Sequence, residues 1–147
     1  MTTTYKHILA AIDTHKSCHC VIEKAKFLAD SLNAKLSFVH VVERDLASEH
    51  IFVDQAEYEK TVRSKAEENL SAMSDELNLG DFDHTILIGT PRDEIVAHAK
   101  AIHCDLIVLG SHGRHGLTHL LGSTSDSVAH RAPCDTLIVR NGDVKRS

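Results

Sequence analysis

Short apolar runs alternate along the chain with segments whose apolar residues recur every three or four positions. The runs are short and mostly apolar, which is typical of strands covered on both faces of a parallel sheet. The intervening periodic segments predict four amphipathic helices. Strands alternating with helices predict one doubly wound α/β domain over residues 1–147, with a parallel sheet and right-handed crossovers. The five predicted strands lie at 8–12, 36–42, 85–89, 106–109 and 136–139.

Local signals indicate where two of the helices end or begin. Asn33 follows the first periodic segment and can adopt the left-handed conformation that stops a helix. Thr90 and Pro91 precede the third, which suits an N-cap followed by the first helical residue. Residues 43–53 show no period and predict no regular element.

Composition and charge narrow the classes of function. The chain has 147 residues, of which 42% are hydrophobic and 25% are charged, as in an ordinary globular protein. Its formal net charge of −5 argues against a dedicated nucleic-acid binder, which would carry a basic face. No apolar run approaches the roughly 20 residues that a membrane span needs. Residues 1–5 lack a secretory pattern, so we expect a cytoplasmic protein.

The cysteines and histidines raise two further possibilities. Four cysteines allow a disulfide framework. We expect reduced thiols instead, because the chain is long enough to form a stable core without disulfides and the cytoplasm is reducing. We expect no structural metal, because a zinc site needs three or four ligands that converge. Neither the spacing of His112, His115 and His119 nor the Cys-His-Cys triplet at 18–20 provides such a set. No nucleophile elbow or His-Glu-x-x-His motif is present, and we expect no catalytic residues.

Residues 110–124, which we call the glycine loop, follow the fourth apolar run and lead into the last helix. A strand that ends in glycines and passes into a helix brings backbone N–H groups together, and the helix dipole favours negative charge there. Glycines also let a ligand approach the backbone closely. Together with the neighbouring Ser123 and Thr124 hydroxyls, the loop is suited to an anion such as phosphate.

Gly-Ser-His-Gly at 110–113, followed by Gly-Ser at 122–123, resembles the signature of the universal stress proteins. Segments 5–13, 37–42, 89–91 and 132–140 resemble other parts of that family, so the likeness spans nearly the whole chain. The resemblance implies the strand order 3-2-1-4-5. In such a sheet the direction of winding reverses between strands 1 and 4, which leaves a crevice at their carboxyl ends.

The resemblance also implies a cytosolic homodimer that binds ATP or a related adenine nucleotide, with or without Mg²⁺, as a regulatory ligand in stress. Val41 would pack against adenine, Asp13 and Gly110 would lie near the ribose, and the N–H groups near Gly113 would hold phosphates. Asp13 can also cap the first helix, and the two roles can hold at once. Arg114 can contact a phosphate or remain solvated. The implied nucleotide-binding residues are Ile12, Asp13, Val41, Gly110, Gly113, Arg114, Gly122, Ser123 and Thr124.

One departure from the family pattern keeps other functions open. Nucleotide-binding members place nine residues between the second and last glycines of the loop, whereas Gly113 and Gly122 enclose eight. The short spacing favours a dimeric interaction module without nucleotide, while the retained glycines and Ser123 favour binding. A slow ATPase or phosphotransfer enzyme is a third, weaker hypothesis.

The last predicted strand suggests how two copies would meet. An apolar strand at the edge of a sheet can pair with another chain. The resemblance implies that this strand pairs antiparallel with its copy across a two-fold axis, with Leu137, Ile138 and Val139 in the interface.

Overall fold

The computed structural model describes residues 4–14, 18–44, 51, 54–111 and 122–141. Strands and helices alternate along the chain, as predicted. The strands are β1 (His7–Ala11), β2 (Lys35–Val42), β3 (His84–Ile88), β4 (Leu106–Gly110) and β5 (Asp135–Val139). The helices are α1 (His19–Leu32), α2 (Gln55–Glu76), α3 (Pro91–Ile102) and α4 (Gly122–Arg131).

The five strands form one parallel sheet in the order β3-β2-β1-β4-β5. This confirms the expected order 3-2-1-4-5. β1 lies at the centre and pairs with β2 on one side and β4 on the other. Ala10, for example, lies between Phe38 of β2 and Val108 of β4. Both edges of β1 are therefore paired, and its position is fixed by two ladders.

Helices cover both faces of the sheet, and each face has its own core. Ile8 and Ala10 face α1 and α2, where residues such as Val21 and Leu70 pack. Leu9 points to the other face, where Val128 of α4 packs together with the buried residues of α3. Ile8, Leu9 and Ala10 are each 0% exposed, which explains why this strand is apolar at successive positions.

The helix ends agree in part with the local sequence signals. Asn33 has the predicted left-handed conformation, with φ of 54°. Thr90 occupies the N-cap position of α3, although its side chain makes no capping bond. α2 begins at Gln55, three residues before its first buried apolar residue, because the Asp54 carboxylate accepts a bond from the Ala56 N–H. Residues 112–121 of the glycine loop, which lead into the last helix, lie outside the described residues.

The four cysteines are free thiols. Cys104 and Cys134 meet at the amino edge of the sheet with their Sγ atoms 3.9 Å apart, well beyond the roughly 2.05 Å of a disulfide. Burial raises the pKa of the Cys104 thiol to about 12 and also raises that of Cys134. Both side chains therefore pack as neutral thiols at neutral pH.

The central strand gives a direct test of this core. Replacing Leu9 by Ala removes Cγ and both Cδ atoms from a fully buried side chain and should cost about 2–5 kcal/mol of unfolding free energy. The same change at Leu32, which is 36% exposed at the end of α1, should cost less than about 1 kcal/mol. Urea denaturation of both variants measures the difference. Equal losses would contradict the assignment of β1 to the core.

Candidate functional site

The chain reverses its direction of winding between β1 and β4. From β1 it passes through α1 to β2 on one side, whereas from β4 it passes through α4 to β5 on the other side. Helices α1 and α4 lie on opposite faces of the sheet. In sheets of this kind, ligands bind in the crevice at the carboxyl ends of the two strands where the order reverses. Asp13 follows β1 and Gly110 ends β4, so both lie at this crevice.

The turn after β1 is tied to its neighbours by three hydrogen bonds. The Ile12 N–H donates to the Val39 carbonyl (2.9 Å), and the Ile12 carbonyl accepts from Nδ1 of His40 (2.9 Å). The Asp13 N–H donates to Sγ of Cys18 at 3.3 Å. The side chain of Ile12, a predicted site residue, is buried in the core, and its backbone groups hold the turn that leads to Asp13.

Cys18 contributes a neutral group beside Asp13. Burial raises the pKa of its thiol well above the ordinary value, and the neighbouring Asp13 charge raises it further. Cys18 is also the N-cap residue of α1, which excludes the alternative that Asp13 occupies that position. Asp13 is half-buried at the crevice.

Val41 lies where β2 extends beyond the end of β1. It pairs with Leu87 of β3, is half-buried, and packs against the core cluster beneath α3 and α4. Its position at the carboxyl edge of the sheet would allow Val41 to pack against a flat ring. Its partial burial agrees equally well with a residue of the core.

Gly110 and Ser111 contact a residue that the sequence analysis did not single out. The Asn141 N–H donates to Oγ of Ser111, and that hydroxyl donates to Oδ1 of Asn141, both at 3.3 Å. The Ser111 N–H extends the β4–β5 ladder by donating to the Val139 carbonyl (2.9 Å). Asn141 is 7% exposed. No period or motif marks it, because it follows the last strand and contacts residues 30 positions earlier.

The start of α4 lies at the same edge of the sheet. α4 precedes a parallel strand and therefore runs antiparallel to the strands, with its N-terminus at their carboxyl ends. Gly122, Ser123 and Thr124 form its first turn, where backbone N–H groups have no partner within the helix. Gly113 and Arg114 lie outside the described residues.

A second recess, of about 610 Å³, lies at the same edge beside β2 and β3 and is lined by residues including Glu43, Arg44 and Glu94. Its electrostatics differ from those expected of a phosphate site. The Arg44 guanidinium is 2.8 Å from the Glu59 carboxylate, which offsets its charge, and Glu43 and Glu94 add negative charge. A polyanion is therefore better suited to the crevice between β1 and β4 than to this recess.

The edge strand presents the three predicted interface residues differently. Leu137 and Val139 pack against the core cluster beneath α1. Ile138 points away from it and is 39% exposed. Of the three, Ile138 is the side chain best placed for contact with another chain.

In the part of the chain that the structure describes, no three His, Cys, Asp or Glu side chains are grouped as a metal would require. Among the same residues, no helix has the length and apolar character to cross a membrane.

The fold is that of a doubly wound α/β protein, with a crevice at the point where the strand order reverses. The model of the universal stress protein family matches residues 4–140, and the chain belongs to this family. Universal stress protein A homolog 1 of Coxiella burnetii is 36% identical over 138 residues, which cover 92% of this chain and 96% of that protein.

Solved structures share the fold over nearly the whole chain. The hypothetical protein MJ0577 is 26% identical, with a TM-score of 0.78 over 96% of this chain and 99% of that one. A universal stress protein solved in complex with cAMP is 25% identical, with a TM-score of 0.61 over 95% of this chain and all of that one.

The His40 bond predicts a specific pattern of substitutions. Replacing His40 by Leu leaves the Ile12 carbonyl without its side-chain donor and should cost about 1–3 kcal/mol of unfolding free energy. Asn can place an amide N–H near the position of Nδ1, so His40→Asn should lose less than half as much. Thermal or urea denaturation compares the two variants. If His40→Asn is as unstable as His40→Leu, the bond to Ile12 does not account for the loss.

Proposed function

We propose that this protein binds ATP or a related adenine nucleotide in the crevice between β1 and β4. The observation that carries the proposal is the reversal of strand order between β1 and β4. It places Asp13, Gly110 and the first turn of α4 at one edge of the sheet. The related structure in complex with cAMP adds support, because that ligand also contains adenine, ribose and phosphate.

The parts of the nucleotide match different parts of the crevice. The partly buried Val41 offers an apolar surface for adenine, and the Asp13 carboxylate is an acceptor for ribose hydroxyls. With a net charge of −5, the chain offers phosphate little general attraction. Phosphate binding therefore depends on local donors: the N–H groups of the first turn of α4, near Ser123 and Thr124, and those around Gly113. Arg114 would add charge there.

The biological setting is part of the same proposal. We infer a regulatory role in the stress response, carried out by a homodimer in the cytoplasm. The four free thiols support a reducing compartment, where disulfides are rare. The exposed Ile138 on edge strand β5 supports pairing with a second copy.

The alternative is a dimeric interaction module with no nucleotide. The eight residues between Gly113 and Gly122, one fewer than in nucleotide-binding members, favour it. One residue spans about 3.3–3.6 Å of extended chain, which is comparable to the separation of neighbouring hydrogen-bonding groups around a phosphate. A shorter loop therefore has less freedom to surround a triphosphate.

Calorimetric titration of Mg-ATP, ATP with EDTA, and cAMP into the purified protein separates these functions. We expect ATP binding by the wild type and none by Gly113→Val, in which side-chain bulk replaces the close backbone approach. Asp13→Asn should weaken binding about tenfold, because a charge-assisted bond to ribose is lost.

Asp75→Asn, on the exposed side of α2, is the matched control and should bind as the wild type does. Absence of heat with all three ligands, in folded protein, would favour the interaction module.

The proposed dimer has its own test. Ile138→Lys places a charge on the exposed side of edge strand β5 and should convert a dimer into a monomer at micromolar concentration. Phe27→Lys changes another exposed apolar residue, 64% exposed on α1, and should leave the dimer intact. Light scattering coupled to gel filtration measures both masses. A monomeric wild type, or a dimer that Ile138→Lys does not disturb, would contradict pairing through β5.

A further inference from the structure

Gly110 has no room for a side chain, and the reason is Asn141. A Cβ built on Gly110 would lie 2.3 Å from Nδ2, 2.6 Å from Cγ and 2.8 Å from Oδ1 of Asn141. All three distances are shorter than the contacts that Cβ atoms make with other heavy atoms in folded proteins. Gly80, in contrast, has a left-handed φ of 66° and open space around it. Gly110 has no such backbone requirement, so the neighbouring amide side chain accounts for the glycine.

The same side chain holds the residue that follows Gly110. Asn141 and Ser111 exchange two hydrogen bonds, one through the Asn141 N–H and one through its Oδ1. Asn141 is almost fully buried, so its amide cannot move aside into water without losing these bonds and its packing. Gly110, Ser111 and Asn141 therefore form one packed unit at the carboxyl edge of β4 and β5, which we call the asparagine clamp.

We propose that Asn141 is a positioning residue of the nucleotide site, which holds Gly110 and Ser111 at the carboxyl end of β4. This inference rests on the proposed nucleotide binding. Ser111 follows β4 directly, and its bonds to Val139 and Asn141 hold it at the carboxyl end of that strand. A clamp that holds Gly110 and Ser111 in place before any ligand binds reduces the entropy that binding would otherwise cost.

The clamp also joins the glycine loop to the edge strand. Asn141 lies two residues beyond β5, and the Ser111 N–H donates to Val139, the last residue of that strand. The same residue, Ser111, is therefore bonded both to the end of β5 and to Asn141.

The clamp can be tested without any nucleotide. Gly110→Ala should lower the melting temperature, because the new methyl group overlaps Asn141. Adding Asn141→Ala opens that space, and the double variant should recover at least half of the lost melting temperature. Asn141→Ala should not rescue Gly80→Ala, whose cost comes from its φ angle. If the Gly110 double variant is no more stable than Gly110→Ala alone, Asn141 does not determine the glycine, and the clamp is refuted.

Nucleotide affinity tests the positioning role. Asn141→Ala and Ser111→Ala should each raise the ATP dissociation constant about tenfold, equivalent to about 1.4 kcal/mol. Ser111→Thr keeps the hydroxyl and should stay within about threefold of the wild type. Asn69→Ala, on α2, is the control for an Asn-to-Ala change away from the site.

The outcomes distinguish the two proposals. Unchanged ATP affinity in folded Asn141→Ala and Ser111→Ala would show a purely structural clamp and would overturn the positioning role. If the wild type binds no ATP, nucleotide binding fails and the positioning role fails with it. The melting temperatures of the Gly110 and Asn141 variants then still decide whether the clamp exists.

Discussion

The burial of β1 between two parallel neighbours is the constraint on which the rest of the structure depends. Ile8 and Ala10 serve one core and Leu9 serves the other, so one strand anchors the helices on both faces. Since β1 has neighbours on both edges, the chain must build the sheet outward in two directions. The crevice at the carboxyl ends of β1 and β4 follows from that arrangement. The location of the candidate site is thus a consequence of how the core is built.

The groups that border the crevice are held in place by neighbouring residues. His40 and Cys18 fix the turn that carries Asp13, one from the neighbouring strand and one from the start of α1. Asn141 does the same for Gly110 and Ser111 on the other side of the crevice. Such support places a binding group on rigid elements, which lowers the cost of ordering it when a ligand arrives.

Local residue patterns were sufficient to predict the strands and helices, because strands buried on both faces are short and mostly apolar and helices show a 3.6-residue period. The strand order came from the family resemblance, since periodicity carries no information about which strands pair. Contacts such as His40 with Ile12, 28 residues apart, could not be derived locally. His40 is a polar residue within a mostly apolar strand, whereas Asn141 carries no comparable signal in the sequence. Similarly, only the fold separates the exposed Ile138 from Leu137 and Val139, which face the core.

The central claim is that an adenine nucleotide occupies the crevice between β1 and β4. Titration of ATP into isotopically labelled protein, followed by backbone amide NMR, tests it residue by residue. The account predicts shifts at Asp13, Gly110 and the first turn of α4, with little change at Gly80 beyond the end of α2. Shifts confined to Glu43, Gly89 and Thr90, which line the second recess, would contradict it, as would an unchanged spectrum.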